Sequence, residues 1–155
     1  MNILLSFLAI SFSFCLFSQQ SVTTETISIP EDVSQSTNWT TYAETPELKI
    51  EYFIADCYPN SGLDFQSVFL RMTNLTGNSI ELSWHFDLEF GKVCTTCDTY
   101  EFDRMITLEP NEVVEGSCEN KTEKTLEVFS KFIDPAYTKG ARLSAFGLSA
   151  FTITL

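Results

Sequence analysis

From Leu48 onward, apolar and polar residues alternate with a period of two. The clearest run is Ile80 to Phe90. Ile80, Leu82, Trp84, Phe86, Leu88 and Phe90 fall on one parity, and Glu81, Ser83, His85, Asp87 and Glu89 on the other. A helix would scatter these side chains around its circumference, whereas a strand gathers the apolar six on one face. The same alternation runs through Leu48, Ile50, Tyr52 and Ile54, through Val68, Leu70 and Met72, and through Tyr100, Phe102, Ile106 and Leu108. It returns in Leu126, Val128 and Phe132. The final run, Leu143 to Leu155, is broken by Ala, Ser and Gly147, which predicts a bulge.

Turn residues separate these runs at Tyr58–Gly62, Asn74–Ser79, Gly91-Lys92, Glu109–Glu112, Asp134-Pro135 and Lys139-Gly140. Short strands spaced this way predict an all-β fold, an antiparallel sandwich of about seven strands. Residues 106–113, Ile-Thr-Leu-Glu-Pro-Asn-Glu-Val, resemble the strand-turn-strand of many immunoglobulin-like sandwiches. That resemblance implies an immunoglobulin-like fold and no activity.

The chain ahead of these runs divides in two. Residues 3–17 form an uncharged, largely apolar run of about 15 residues, short of the roughly 20 that span a bilayer but matched to a signal-peptide core. Leu16-Phe17-Ser18-Gln19 resembles the leader ends of some Gram-negative exported proteins, which places cleavage after Ser18. Residues 1–18 are therefore read as a signal peptide, 19–45 as a Thr/Ser/Glu-rich arm with a short edge strand at Thr26–Ile29, and 46–155 as the sandwich domain. The expected location is secreted or periplasmic, with no stable membrane insertion after cleavage.

The net charge of −12 falls on the part after the leader, which has no charged side chain. An acidic surface excludes nucleic acid, whose phosphates need Lys and Arg, and disfavours anionic membranes. With Cys15 in the leader, four cysteines remain: Cys57, Cys94, Cys97 and Cys118. An even number in an exported domain predicts disulfides, with the pairing left open. Cys94-Thr-Thr-Cys97 also admits a redox or zinc reading. However, it lies between strands rather than at a helix N-terminus, and Asp98 beside it opposes thiolate formation.

His85, the one histidine, sits on the polar parity with Ser83 and Asp87 and reads as a solvated strand residue. The acidic stretch Asp98–Glu119 lacks a calcium-loop pattern and reads as a solvated face. Arg104 occupies core parity, which calls for a snorkelling side chain or a carboxylate partner. Asn38, Asn74 and Asn120 head glycosylation patterns. Phe53 and Phe69 lie on the outward parity and face each other if the turn centres near Ser61, and Phe129 shares that parity. The pair is a candidate interaction patch unless Trp39 and Tyr42 of the arm cover it.

No residue pattern calls for a cofactor, a metal or a catalytic centre. The expected function is a non-catalytic exported module that binds an unknown protein or small ligand. The alternatives are a hydrolase or metal-dependent enzyme, and a carrier of an apolar ligand within the sandwich.

Overall fold

A computed structural model describes residues 18–31, 35–58, 64–119, 124–133 and 140–155. The leader with Cys15, most of the turn after Tyr58, the connection at 134–139 and the Asn120 glycosylation pattern lie outside the described residues.

The strands are β1 (Gln19–Ser21), β2 (Ile27–Ser28), β3 (Thr40–Glu44), β4 (Leu48–Cys57), β5 (Phe65–Asn74), β6 (Ile80–Phe90), β7 (Val93–Cys94), β8 (Asp103–Leu108), β9 (Val113–Glu115), β10 (Glu127–Phe132) and β11 (Leu143–Thr154). They form two antiparallel sheets. In the first, β11 lies between β6 and the pair β1 and β2, while β7 and β8 share the far edge of β6. In the second, β3, β4 and β5 run in order, and β9 and β10 share the far edge of β5. The fold is an antiparallel β-sandwich. Among the described residues it has eleven strands rather than about seven: β2 falls within the edge strand expected at Thr26–Ile29, whereas β1 and β7 are only two or three residues long and β3 lies in the Thr/Ser/Glu-rich arm, where no alternation stands out.

The core forms where the apolar parities of the sheets meet. Leu82, Trp84, Phe86 and Leu88 of β6 and Ile50, Ile54, Val68, Leu70 and Met72 of β4 and β5 are buried. From Leu48↔Asn74 to Cys57↔Phe65, β4 and β5 pair without a bulge, which sets Phe53 opposite Phe69. In β11 the register shifts between Leu143 and Ala145 and again between Ser149 and Thr152, with Ala150 at φ 50°. These two slips keep Phe146, Leu148, Phe151 and Ile153 buried although they do not share one parity.

Three positions depart from simple alternation. Residues Tyr100–Phe102 form a 3-10 turn, and Tyr100 is 86% exposed. Leu126 is buried from a second 3-10 turn, Lys124–Leu126, rather than from a strand. A shift in β10 between Phe129 and Lys131 carries Phe132 out of the core, to 39% exposure.

Tyr42 pins the segment before β3 to both sheets. Its hydroxyl donates to the Glu25 carbonyl at 2.7 Å and accepts the Leu148 amide at 2.9 Å, and its ring stacks on Phe146 at 5.8 Å. Burial raises its pKa, and the Leu148 hydrogen bond opposes that rise.

Candidate functional site

The candidate patch is not an open surface. Phe69 is 3% exposed, and Phe53 is half-buried with the Trp39 ring 5.4 Å away. Trp39 is held in turn by Arg71, whose guanidinium lies 4.5 Å from its centroid. Arg71 also donates to Glu51 through Nε at 2.8 Å and Nη2 at 2.6 Å, and Lys49 pairs with the same carboxylate at 2.8 Å. Burial pushes the Glu51 carboxyl up, but the hydrogen bonds and charges of Lys49 and Arg71 outweigh it and hold the pKa below the ordinary carboxylate value. Tyr42 faces the core instead of this patch. The outward aromatics are therefore covered by the chain's own Trp39 and by the segment after β9.

That segment is tethered by the disulfide Cys57–Cys118, with a Cα–Cα distance of 5.5 Å. Gly116 crosses so close to its neighbours that a Cβ there would lie 2.3 Å from the Leu126 carbonyl oxygen and 3.1 Å from the Phe69 ring. Only glycine permits this approach. The Tyr58 hydroxyl donates to the Cys118 carbonyl, and beside it an aromatic row runs from Tyr58 through Phe65 and Phe129 to Phe132. Phe129 is 37% exposed, so this row, rather than Phe53 and Phe69, is the accessible aromatic surface of the second sheet.

The second disulfide, Cys94–Cys97, closes the loop that follows β7. This loop completes the edge of β6. β8 pairs with Ile80–His85 and β7 with Glu89–Phe90, which leaves the backbone between them without a strand partner. Thr96 fills the gap. Its hydroxyl donates to the Phe86 carbonyl at 2.6 Å and accepts the Leu88 amide at 2.8 Å, and the Thr95 amide donates to the Leu88 carbonyl at 2.8 Å. A side-chain hydroxyl thus takes the place of a neighbouring strand's peptide group.

His85 is the other clamp on this loop. Its Nδ1 lies 2.7 Å from Asp103 Oδ1 across the β6–β8 pair, and its Nε2 lies 3.0 Å from the Thr96 carbonyl. It is not a solvated strand residue, because its side chain is only 12% exposed. A groove of about 420 Å³ passes Ser83, His85, Asp103 and Arg104. Both ring nitrogens already face acceptors, and Ser83 Oγ is 2.7 Å from Thr152 Oγ1. Among the described residues lining the groove, His85 is thus not aligned on the Ser83 hydroxyl. His85→Ala is expected to lower stability by about 1–2 kcal/mol, the worth of hydrogen bonds to a charged partner. Urea unfolding at neutral pH checks this, and an unchanged midpoint refutes the clamp.

On the core side of the same loop, a cleft of about 250 Å³ opens between the β6 edge and β10. Phe86, Leu88, Phe90, Phe102, Val128 and Phe129 form its apolar walls, and Thr95, Arg104 and Glu127 its polar rim. Arg104 Nη1 donates at 2.8 Å to the carbonyls of Glu101 and Asp103, and the guanidinium lies 5.8 Å from the rings of Phe86 and Phe102. Among the described residues it forms no ion pair with a carboxylate. Its place on core parity thus puts a cation at the mouth of an apolar cleft.

One residue of this region, Thr96, gave no signal in the sequence, because only the short β7 creates the gap it fills. The fold and site together define a disulfide-bonded β-sandwich with an inter-sheet cleft. No family model, curated protein or solved structure matches this chain.

Proposed function

We propose that this chain is an exported, non-catalytic binding module that takes a small amphipathic ligand in the cleft between β6 and β10. The observation that carries this reading is the apolar cleft with Arg104 at its rim, in a chain of net charge −12. Its volume is just under the roughly 300–1,000 Å³ of common ligand sites, which favours a short chain or single ring over a full lipid. The rim cation favours an anionic head group. Export is supported by the leader-like residues 3–17 and by the two disulfides, which persist in oxidising compartments. Among the described residues, no helix is long and apolar enough to cross a membrane. An immunoglobulin-like arrangement is the finer reading of the sandwich. Its support is residues 106–113, where β8 of one sheet turns into β9 of the other.

The test is displacement of a fluorescent apolar probe by decanoate, decanol and decylamine. Decanoate is expected to compete best and decylamine worst, and Arg104→Gln is expected to abolish that order while leaving some competition by decanol. Absence of competition by all three sinks the reading and leaves exposed Tyr58, Phe129 and Phe132, with half-buried Phe65 between them, as the surface to test with protein partners.

A further inference from the structure

The Cys94–Cys97 disulfide stands beside a carboxylate. The two Sγ atoms and a carboxylate oxygen of Asp87 all lie within 4.8 Å of one another. Cys97 is exposed, and Cys94 and Asp87 are half-buried, so solvent and solutes reach this cluster. We propose that the reduced form of this loop is a binding site for a soft or borderline divalent cation of the zinc type. Cys94, Cys97 and Asp87 supply three ligands, and the fourth position is left to water or to an incoming ligand.

The first argument is preorganisation. Elsewhere in the molecule a disulfide ties distant segments, but this one spans a sequence separation of only 3. The loop is fixed independently by the Thr95 and Thr96 hydrogen bonds to β6, by the Thr99 amide to the Thr96 carbonyl at 3.0 Å, and by His85 on the Thr96 carbonyl. Opening the S–S bond therefore leaves the backbone of both cysteines where it is. A tetrahedral cation with metal–sulfur bonds of about 2.3 Å and a metal–oxygen bond of about 2.0–2.2 Å needs donors about 3.5–3.8 Å apart. The Cα–Cα separation of 5.8 Å accommodates that spread by small side-chain rotations.

The second argument is charge. The Cys97 amide donates to Cys94 Sγ at 3.2 Å, which ties that sulfur to the loop backbone. Two thiolates next to the Asp87 carboxylate, on a chain of net charge −12, concentrate negative charge that a divalent cation neutralises. Asp87 projects from β6 beside the loop, its Oδ1 3.7 Å from His85 Nε2. Two sulfurs and one oxygen form a donor set suited to zinc and cobalt rather than to calcium or magnesium.

The chemistry balances with an external dithiol as the reductant. One dithiol gives two electrons and two protons to the Cys94–Cys97 bond, leaving two thiols on the protein and a disulfide on the donor. Binding the cation then releases those two protons. In reverse, an external disulfide takes two electrons from the pair and two protons from solvent, re-forms the Cys94–Cys97 bond, removes both sulfur ligands and releases the ion. The oxidised and metal-bound forms are therefore mutually exclusive.

Cobalt(II) titration of the full chain tests the proposal. A limited dose of a phosphine reductant opens the exposed pair, and mass spectrometry after alkylation confirms that the buried Cys57–Cys118 bond survives. The reduced wild type is expected to bind one cobalt per chain, with thiolate charge-transfer and tetrahedral ligand-field bands, and the oxidised wild type none. Cys94→Ala/Cys97→Ala, checked for folding by circular dichroism, is expected to bind none. Asp87→Asn is expected to weaken binding by at least the roughly tenfold that even outer-shell changes cost. Three results would overturn the proposal: no cobalt on the reduced wild type, equal uptake by the double variant, or undiminished affinity in Asp87→Asn.

Discussion

Replacing Cys57 and Cys118 together by alanine is expected to lower stability by about 4 kcal/mol, whereas the same change at Cys94 and Cys97 costs about 2 kcal/mol or less. The difference follows from the length of chain each bond closes, 61 positions against 3. The unfolded chain loses far more freedom to the longer loop. A domain of this size has only about 5–15 kcal/mol in hand, so the first variant sits near the edge of folding at 37 °C. There is also a local reason. The Cys57–Cys118 bond holds the segment around Gly116 over Phe69, and Cys57 is itself fully buried. Urea denaturation of both double variants measures the two losses side by side. An equal or reversed order would show that the crossing segment is held by packing rather than by the bond.

The second large effect is expected at Asn74. Asn74→Ala should cost about 3 kcal/mol or more, since it leaves several buried groups without partners at once. The side chain is 1% exposed. Its Nδ2 donates to the carbonyls of Asn78 at 2.8 Å, Glu109 at 2.9 Å and Leu108 at 3.3 Å. Its Oδ1 accepts from Thr76, from the amide at 2.8 Å and from the hydroxyl at 2.9 Å. One amide thus joins the turn after β5 to the turn after β8 and fixes where the chain changes sheets. A shift of the urea midpoint with an unchanged slope is the expected readout. The same geometry answers the glycosylation pattern at this position. The Asn74 nitrogen is spent inside the fold, while Asn38 is exposed and Asn120 lies outside the described residues.

The strand parities were legible from the sequence because one face of each long strand is buried, and a one-residue slip would turn that face outward. That reasoning reached β4, β5, β6 and the pairing of Phe53 with Phe69. It stopped where the backbone leaves the period of two. The slips in β10 and β11 turned Phe132 outward and kept Phe151 inward; the small residues that interrupt β11 announce a bulge in that strand but not its exact place, and nothing in the polarity of β10 announces one. Four cysteines allow three pairings, so composition alone could not choose between a long clip and a short loop closure. His85 was misread because parity says which way a side chain points and nothing about what lies over it. Here the Thr96 carbonyl and Asp103 come from elements whose positions depend on a gap in the β6 edge. For Phe53 and Phe69 the sequence left open whether the arm covers them; Trp39 does lie against Phe53, while Tyr42 turns to Phe146 instead.

The position of the last strand has a consequence for the order in which this molecule is made. β11 is internal to the first sheet, with β6 on one side and β1 and β2 on the other, and the Leu155 amide reaches the Ser18 carbonyl at 3.3 Å. A ribosome delivers β1 first and β11 last. Until β11 (Leu143–Thr154) emerges, β1 and β2 have no strand to join, and one edge of β6 stays unpaired beside Trp84 and Phe86. The second sheet has all its strands earlier, since β3, β4, β5, β9 and β10 precede residue 133. A nascent chain therefore carries one complete sheet and one half-built sheet with an open hydrophobic face, a state that invites aggregation unless something holds it. Closing the first sheet therefore waits for β11, which joins β6 to β1 and β2.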